Sequence, residues 1–211
     1  MSEAETVETP KAYGLERMLF FSDAVIAIML TLLAIELPVP EAADPSHLWA
    51  ALSEHGAHYL AFIVSFAVIA PAWIAHHLFF TYVSHSDAPL ITLNLLVLFG
   101  YVLIPWASKT LGDVPNSVGV IVLSAAMTFL SGAMYLLVRH TVRAGLVHAT
   151  APRVVISGIR AWTAGTTILF LFSMPIALLI GRWTMLVWAV GYLALRGFVE
   201  YQNRRSLASA R

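Results

Sequence analysis

The chain has no cysteine, which removes disulfides, thiolate metal ligands and cysteine nucleophiles and leaves the redox compartment open. It is also short of charge. Only 11% of its 211 residues are Asp, Glu, Lys or Arg, against about 25% in soluble domains. With 59% hydrophobic residues and a mean hydropathy of +0.80, the chain has little to offer water and belongs in lipid. Its formal net charge is zero, so it lacks the basic stripe that a nucleic-acid partner requires. The N-terminus, M-S-E-A-E-T-V-E-T-P-K, has neither the positive n-region nor the short apolar core of a secretory signal. Residues 1–16 read as a disordered cytoplasmic tail.

What is present is apolar sequence in lengths that match a bilayer, which takes about 20 residues per helical crossing. Six spans are expected, at roughly 18–37, 58–82, 89–109, 117–139, 160–180 and 183–202, within one all-α membrane domain over 17–203 and before a cytoplasmic tail at 204–211. No separate soluble domain and no internal repeat are apparent. Turn chemistry separates the spans: Pro38 and Pro40 after the first, Asp87 and Pro89 before the third, Gly112, Asp113 and Pro115 before the fourth, and a tight hairpin at Gly181-Arg182. With the N-terminus inside, ten cations fall on the cytoplasmic side (Lys11, Arg17, Arg139, Arg143, Arg153, Arg160, Arg196, Arg204, Arg205, Arg211) and only Lys109 and Arg182 outside. That asymmetry predicts a multi-pass protein of the cell membrane with both termini cytoplasmic. The first external loop, 38–57, carries Glu41, Asp44 and Glu54 and no cation, so it reads either as an acidic vestibule or as a translocated loop that avoids Lys and Arg.

The first span, R-M-L-F-F-S-D-A-V-I-A-I-M-L-T-L-L-A-I-E-L, is the chemically odd one. An ionisable group inside a membrane segment costs about 2.5–3.5 kcal/mol on insertion scales, so Asp23 and its neighbour Ser22 call for protein partners. This places the helix centrally. Ile28, Leu32 and Ile35 fall at i, i+4 and i+7 on one face, with Thr31 at its edge. The second span offers Trp73, His76 and His77; adjacent histidines point about 100° apart and cannot chelate one metal as an i,i+4 pair can, so at least one is a hydrogen-bond donor or acceptor for another helix. His76 shares a face with Phe80, and Trp73 with His77. In the third span Asn94 sits in an apolar run and must be paired. Asp23, one histidine and Asn94 share a depth, which predicts a polar cluster across three helices.

The remaining features read as packing. Gly158 to Gly165 and the Ser/Thr residues near 163–167 suit close helix contacts, Met127 and Met134 fill core, and spans four to six read as a scaffold facing lipid or neighbouring subunits. Ser117-Val118-Gly119-Val120 lacks the T-V-G-Y-G pattern of a carbonyl filter and reads as a helix start capped by Asn116 or Ser117. His55 and His58, at i,i+3, are the one loose candidate for a metal; no metal or other cofactor is expected.

The spacing Arg17-x-x-x-Phe21-Ser22-Asp23 resembles the R-x-x-x-F-S-D signature of the transmembrane protein 175 family, the endolysosomal-type potassium channels and their bacterial relatives. The resemblance runs through Ala24 to Leu37, then Trp73-x-x-His76-His77-x-x-Phe80, then Leu93-Asn94-Leu95 with Pro105. It covers about half the chain; the last three spans match only in number, length and topology. It implies a potassium-selective leak channel for monovalent cations, proton-permeable as well, with passive flux and no enzymatic activity. Members of this length are homotetramers in which the first helix of each subunit lines a central pore, with no re-entrant filter. The implied constriction is Ile28, with Leu32 and Ile35 along the same face and Thr31 as a hydroxyl layer. Arg17, Phe21, Ser22, Asp23, Trp73, His76, His77 and Asn94 are the implied polar support. An apolar ring gates by size and dewetting, and potassium sheds water more readily than sodium, so moderate selectivity follows without a ring of carbonyls.

Two other classes compete. A proton-coupled secondary transporter would titrate Asp23 and the membrane histidines in each cycle, but inverted repeats and broken helices are missing from the pattern. An intramembrane enzyme would need a nucleophile–base pair or a metal set, and neither is present.

Overall fold

A computed structural model describes residues 10–41 and 44–208 of the chain. Long apolar runs with no water to serve their backbone groups must close those bonds internally, and the described residues form six long helices: α1 (Pro10–Ile35), α3 (Gly56–Phe80), α4 (Ala88–Asp113), α5 (Ser117–Arg143), α6 (Arg153–Ile180) and α7 (Thr184–Ala208), with a seven-residue helix α2 (Leu48–Glu54) between the first two. Each long helix overlaps one expected span, although α1 begins at Pro10 and α6 at Arg153, ahead of the expected starts at 18 and 160. The expected tail at 1–16 is shorter in one respect: residues 10–16 already belong to α1, and 1–9 lie outside the described residues. The tail at 204–211 is helical as far as Ala208. The first external loop also holds more order than expected. It contains a 3-10 turn at Pro45–His47 and then α2, and the Tyr59 hydroxyl ties it down by donating to the Pro38 carbonyl at 3.0 Å.

Local chemistry starts and stops the helices where it was readable. The Asp87 carboxylate accepts from the Leu90 amide at 2.8 Å and begins α4; the Asn116 side chain accepts from the Val118 amide at 2.8 Å and begins α5. Gly181 turns the chain between α6 and α7 at φ +57°, a conformation that a side chain disfavours.

Helices α4, α5, α6 and α7 pack as sequential antiparallel neighbours, and α1 and α3 pack on α4. Half of the membrane window of α4 and of α5 is buried, against 22% for α1 and for α3. This corrects two expectations. Helix α5 is core rather than scaffold facing lipid, because its Val120, Leu123, Met127, Leu130 and Leu137 stripe fills the space between α4 and α6. Helix α1 is peripheral within the single chain, because the stripe Leu15, Met18, Ser22, Ile26, Met29 and Leu33 is buried against the bundle, flanked by partly buried Leu19, Val25, Leu30 and Leu32. Close approach of α4 to α5 is set by Gly100, where a Cβ would stand 2.9 Å from the Leu130 Cα. The obstructing atom is backbone, so Gly100→Ala must push two helices apart; a loss of about 1–3 kcal/mol is expected, read as a lowered melting temperature in detergent with the helical content retained. Gly165 on α6 faces the Leu195 side chain of α7, and Ser173 accepts from the Trp188 indole at 2.8 Å.

At one end of the bundle the α3–α4 and α5–α6 connections are clasped. Val83 and Val147 form an isolated antiparallel bridge, the Ser84 amide donates to the Leu146 carbonyl and the His148 amide to the Tyr82 carbonyl, each at 2.8 Å. His140 Nε2 lies 2.9 Å from Asp87 Oδ2 beside them. Partial burial pushes the Asp87 carboxyl up, but the Leu90 amide and the His140 side chain outweigh it and hold the group below its ordinary value. A depressed carboxylate stabilises the fold above the unfolded-state pKa of about 4 and loses that contribution as pH falls through the folded value. The clasp is therefore expected to loosen only in acid below about pH 4, seen as faster amide exchange at Ser84 and His148. Unchanged exchange there after His140→Gln at neutral pH would remove the His140–Asp87 contact from the account.

Candidate functional site

The buried face of α1 carries one polar residue, Ser22, fully enclosed. From it a hydrogen-bonded chain crosses three helices. His76 Nε2 on α3 lies 3.0 Å from Asn94 Oδ1 on α4, Asn94 Nδ2 donates to Ser22 Oγ at 2.8 Å, and Ser22 Oγ donates to the Met18 carbonyl at 2.8 Å. Directionality runs along the whole chain. Because the Ser22 hydroxyl proton is on Met18, the Asn94 amide must present its NH2 to Ser22 and its oxygen to His76, which requires the proton on His76 Nε2. His76 and Asn94 are 1% and 0% exposed, so each bond replaces a desolvated polar group that would otherwise go unmet.

Of the two histidines, His76 is the one in this chain, and its ring packs on Phe80 at 4.6 Å between centroids. Asp23 is absent from it, against expectation. One residue on from Ser22, it points about 100° around α1 and onto the uncovered side, where its Oδ1 accepts from the Trp73 indole at 3.3 Å. Trp73 in turn stacks on the exposed His77 at 5.4 Å. The signature residues thus separate into two tiers: a buried tie of Ser22, Asn94 and His76, and an outer tier of Asp23, Trp73 and His77. Arg17 and Phe21 project from the uncovered side of α1.

That same side carries the apolar stripe. Ile28 is 54% and Ile35 73% exposed in the single chain, Leu32 is half-buried against the core, and Thr31 is exposed. The Thr31 hydroxyl donates to the Ile28 carbonyl at 2.7 Å. Large aliphatic side chains at helical spacing, left bare over two turns beside carboxylate and guanidinium groups, form a surface that is neither purely lipid-facing nor packed.

At the other end of α1 two of the carboxylates have partners. Glu36 pairs with Lys109 at 2.6 Å, and Asp44 caps the 3-10 turn and pairs with His47. Glu41 and Glu54 are exposed. His55 and His58 do not converge on a shared ligand; His58 Nε2 lies 2.8 Å from Asp113 Oδ1. Contacts such as Lys109–Glu36 and His140–Asp87 join residues 73 and 53 positions apart, and nothing local in the sequence announces them.

Fold and site define a class first: an all-α, multi-pass membrane protein whose first helix is tied to two neighbours by buried polar groups and shows a bare apolar face. The family model described as "Endosomal/lysosomal potassium channel TMEM175" matches residues 17–105, the stretch that holds both tiers and the stripe. A potassium channel of Streptomyces collinus is 40% identical over 139 residues, which is 64% of this chain and 66% of that protein. The endosomal/lysosomal proton channel TMEM175 of Bos taurus is 38% identical over 104 residues, 46% of this chain and 22% of its own length. The crystal structure of a lysosomal potassium-selective channel TMEM175 homolog from Chamaesiphon minutus superposes with a TM-score of 0.71 at 24% identity, over 90% of this chain and 99% of that one. At that identity the superposition speaks for the fold. Over residues 17–105 the chain is thus similar to the TMEM175 family, bacterial proteins named potassium channels included. Its matched stretch spans just under two thirds of the Streptomyces protein and about a fifth of the bovine one.

Proposed function

We propose that the protein is a potassium-permeable leak channel, a homotetramer in which the α1 helices of four subunits line one central pore. The observation that supports this most is the bare face of α1. A helix that spans the membrane, is bound to its own subunit along one stripe, and leaves Ile28, Thr31 and Ile35 uncovered needs other copies around it. A six-helix chain with α1 at its edge has no internal hole to line. Four such edges facing one axis supply it.

In this pore Ile28 forms the narrow ring, Leu32 and Ile35 continue the same wall, and Thr31 provides the hydroxyl layer. The ring excludes hydrated ions by size and dewetting, and the smaller dehydration cost of potassium sets the preference over sodium. The permeant potassium ion is the only small-molecule partner required, with lipid and sister subunits as the others. Proton permeability is a second property of the reading, supported by the printed name of the bovine relative. The clasped end, with most of the cations, is cytoplasmic in this arrangement, as are both termini, and the membrane is the cell membrane.

The test is flux in reconstituted liposomes. Passive efflux should collapse a potassium gradient faster than a sodium gradient; equal rates, or none, would defeat the assignment. Asp23→Asn separates channel from proton-coupled carrier in the same assay. Asp23 stands outside the buried tie and the Asn oxygen can still accept from Trp73, so the variant should fold and retain passive potassium flux within about twofold. Flux that vanishes in Asp23→Asn while the protein remains folded would favour a titrating carrier.

A further inference from the structure

The clasp that joins the two connections at the cytoplasmic-reading end also shapes a cavity. By pinning Leu146 and His148 to the α3–α4 connection, it holds residues 144–152 off the first turns of α6. The space left is about 480 Å³, walled by Val142, Ile156, His148, Arg153 and Arg160 among others. Arg153 and Arg160, at i and i+7, lie on one face of α6 and both line it. Neither has an ion pair among the described residues, and no Asp or Glu lines the cavity. Two guanidinium groups in one concave site repel one another unless an anion joins them, and Arg presents a planar fork suited to phosphate oxygens.

We infer that this cavity binds a phosphate group, with Arg153 and Arg160 as its principal ligands. Its place at the end of the membrane helices, with Val142 and Ile156 supplying apolar wall beside the arginines, puts the phosphate at headgroup depth, so an anionic phospholipid is the favoured source and soluble phosphate the other. The inference rests on the membrane-spanning fold and not on which ion the protein passes, so its success or failure leaves the potassium assignment untouched.

The full chain, purified and stripped of lipid, is titrated with a short-chain phosphatidylglycerol, with the matching phosphatidylcholine, and with inorganic phosphate, and the melting temperature is followed. Phosphatidylglycerol should stabilise the protein saturably and phosphatidylcholine should not. The double variant Arg153→Gln/Arg160→Gln should weaken the effect roughly 30-fold, the equivalent of two arginine contacts, while Arg139→Gln, which removes a charge at the same end but away from the cavity, should bind as the parent does. Should the glutamine double variant not fold, Arg153→Lys/Arg160→Lys keeps the charge, loses the fork, and should bind with intermediate affinity. Stabilisation by inorganic phosphate equal to that by phosphatidylglycerol, with the same loss in the double variant, upholds the site and makes its ligand soluble. Equal response to phosphatidylcholine, or equal loss in Arg139→Gln, would reduce the site to diffuse positive charge and overturn the inference.

Discussion

Ile28→Asn is expected to remove most of the discrimination between potassium and sodium and to raise total flux. In a tetramer the substitution replaces four aliphatic side chains at one level by four amides, which wet the constriction and offer oxygen to either ion. A hydrophobic barrier that favours the more easily dehydrated ion by about 1–2 kcal/mol corresponds to roughly 5- to 30-fold in permeability ratio, and this is the loss to look for in liposome flux or bilayer recordings. The position makes the experiment clean. Ile28 is 54% exposed in the single chain, so the bundle itself does not depend on it, whereas Ile26, two residues earlier and 1% exposed, belongs to the core. Thr31→Ala, which deletes the hydroxyl layer one residue short of a turn away, should alter the ratio less. A permeability ratio that survives Ile28→Asn unchanged, in folded tetramers, would move the constriction elsewhere.

The largest structural effect is expected from Asn94→Leu. The side chain is similar in size, so little cavity forms, but the buried chain loses its middle link. His76 Nε2–H is left without an acceptor and Ser22 Oγ without a donor, in a site that water does not reach. A buried unmet polar group costs about 1–3 kcal/mol, so a loss of about 2–3 kcal/mol is reasonable for the pair, given that Ser22 keeps its bond to Met18. The damage should concentrate at α1, whose other polar ties to α3 and α4 are the exposed Asp23–Trp73 and Glu36–Lys109 contacts, and should show as early exchange of α1 amides and loss of the tetramer before the rest of the bundle melts. Adding His76→Phe should recover part of the stability, since removing both partners of a buried pair is far less costly than removing one. If Asn94→Leu melts like the parent, the three-residue chain does not bind α1 to its subunit.

The contrast between these two sites explains what was legible beforehand. Span positions followed from hydropathy, because backbone in lipid has no alternative to helix, and the caps at Asp87 and Asn116 followed from side chains that bond locally. The apolar stripe of Ile28, Leu32 and Ile35 was visible as a face. Whether that face was covered was not, since α1 is apolar nearly all round and Met29 and Leu33 look no different in sequence from Ile28 and Ile35. The polar residues misled in the same way. Ser22 and Asp23 are adjacent and both demand partners, and the stronger demand belonged to Asp23, yet it is Ser22 that faces Asn94.

The sequence by itself determined the membrane environment, the six helices and their order, because each of these depends on local composition or on the length a bilayer imposes. The tertiary structure decided which helix is core and which is edge, that His76 rather than His77 meets Asn94, and that Asp23 stands with Trp73 outside the buried tie. Those outcomes depend on how far each helix is rotated about its axis, and a rotation of 100° separates neighbours such as Ser22 and Asp23. Rotation is settled by packing against helices distant in sequence, with Gly100 against Leu130 setting the spacing of the core. The bare side of α1 is what that packing leaves over.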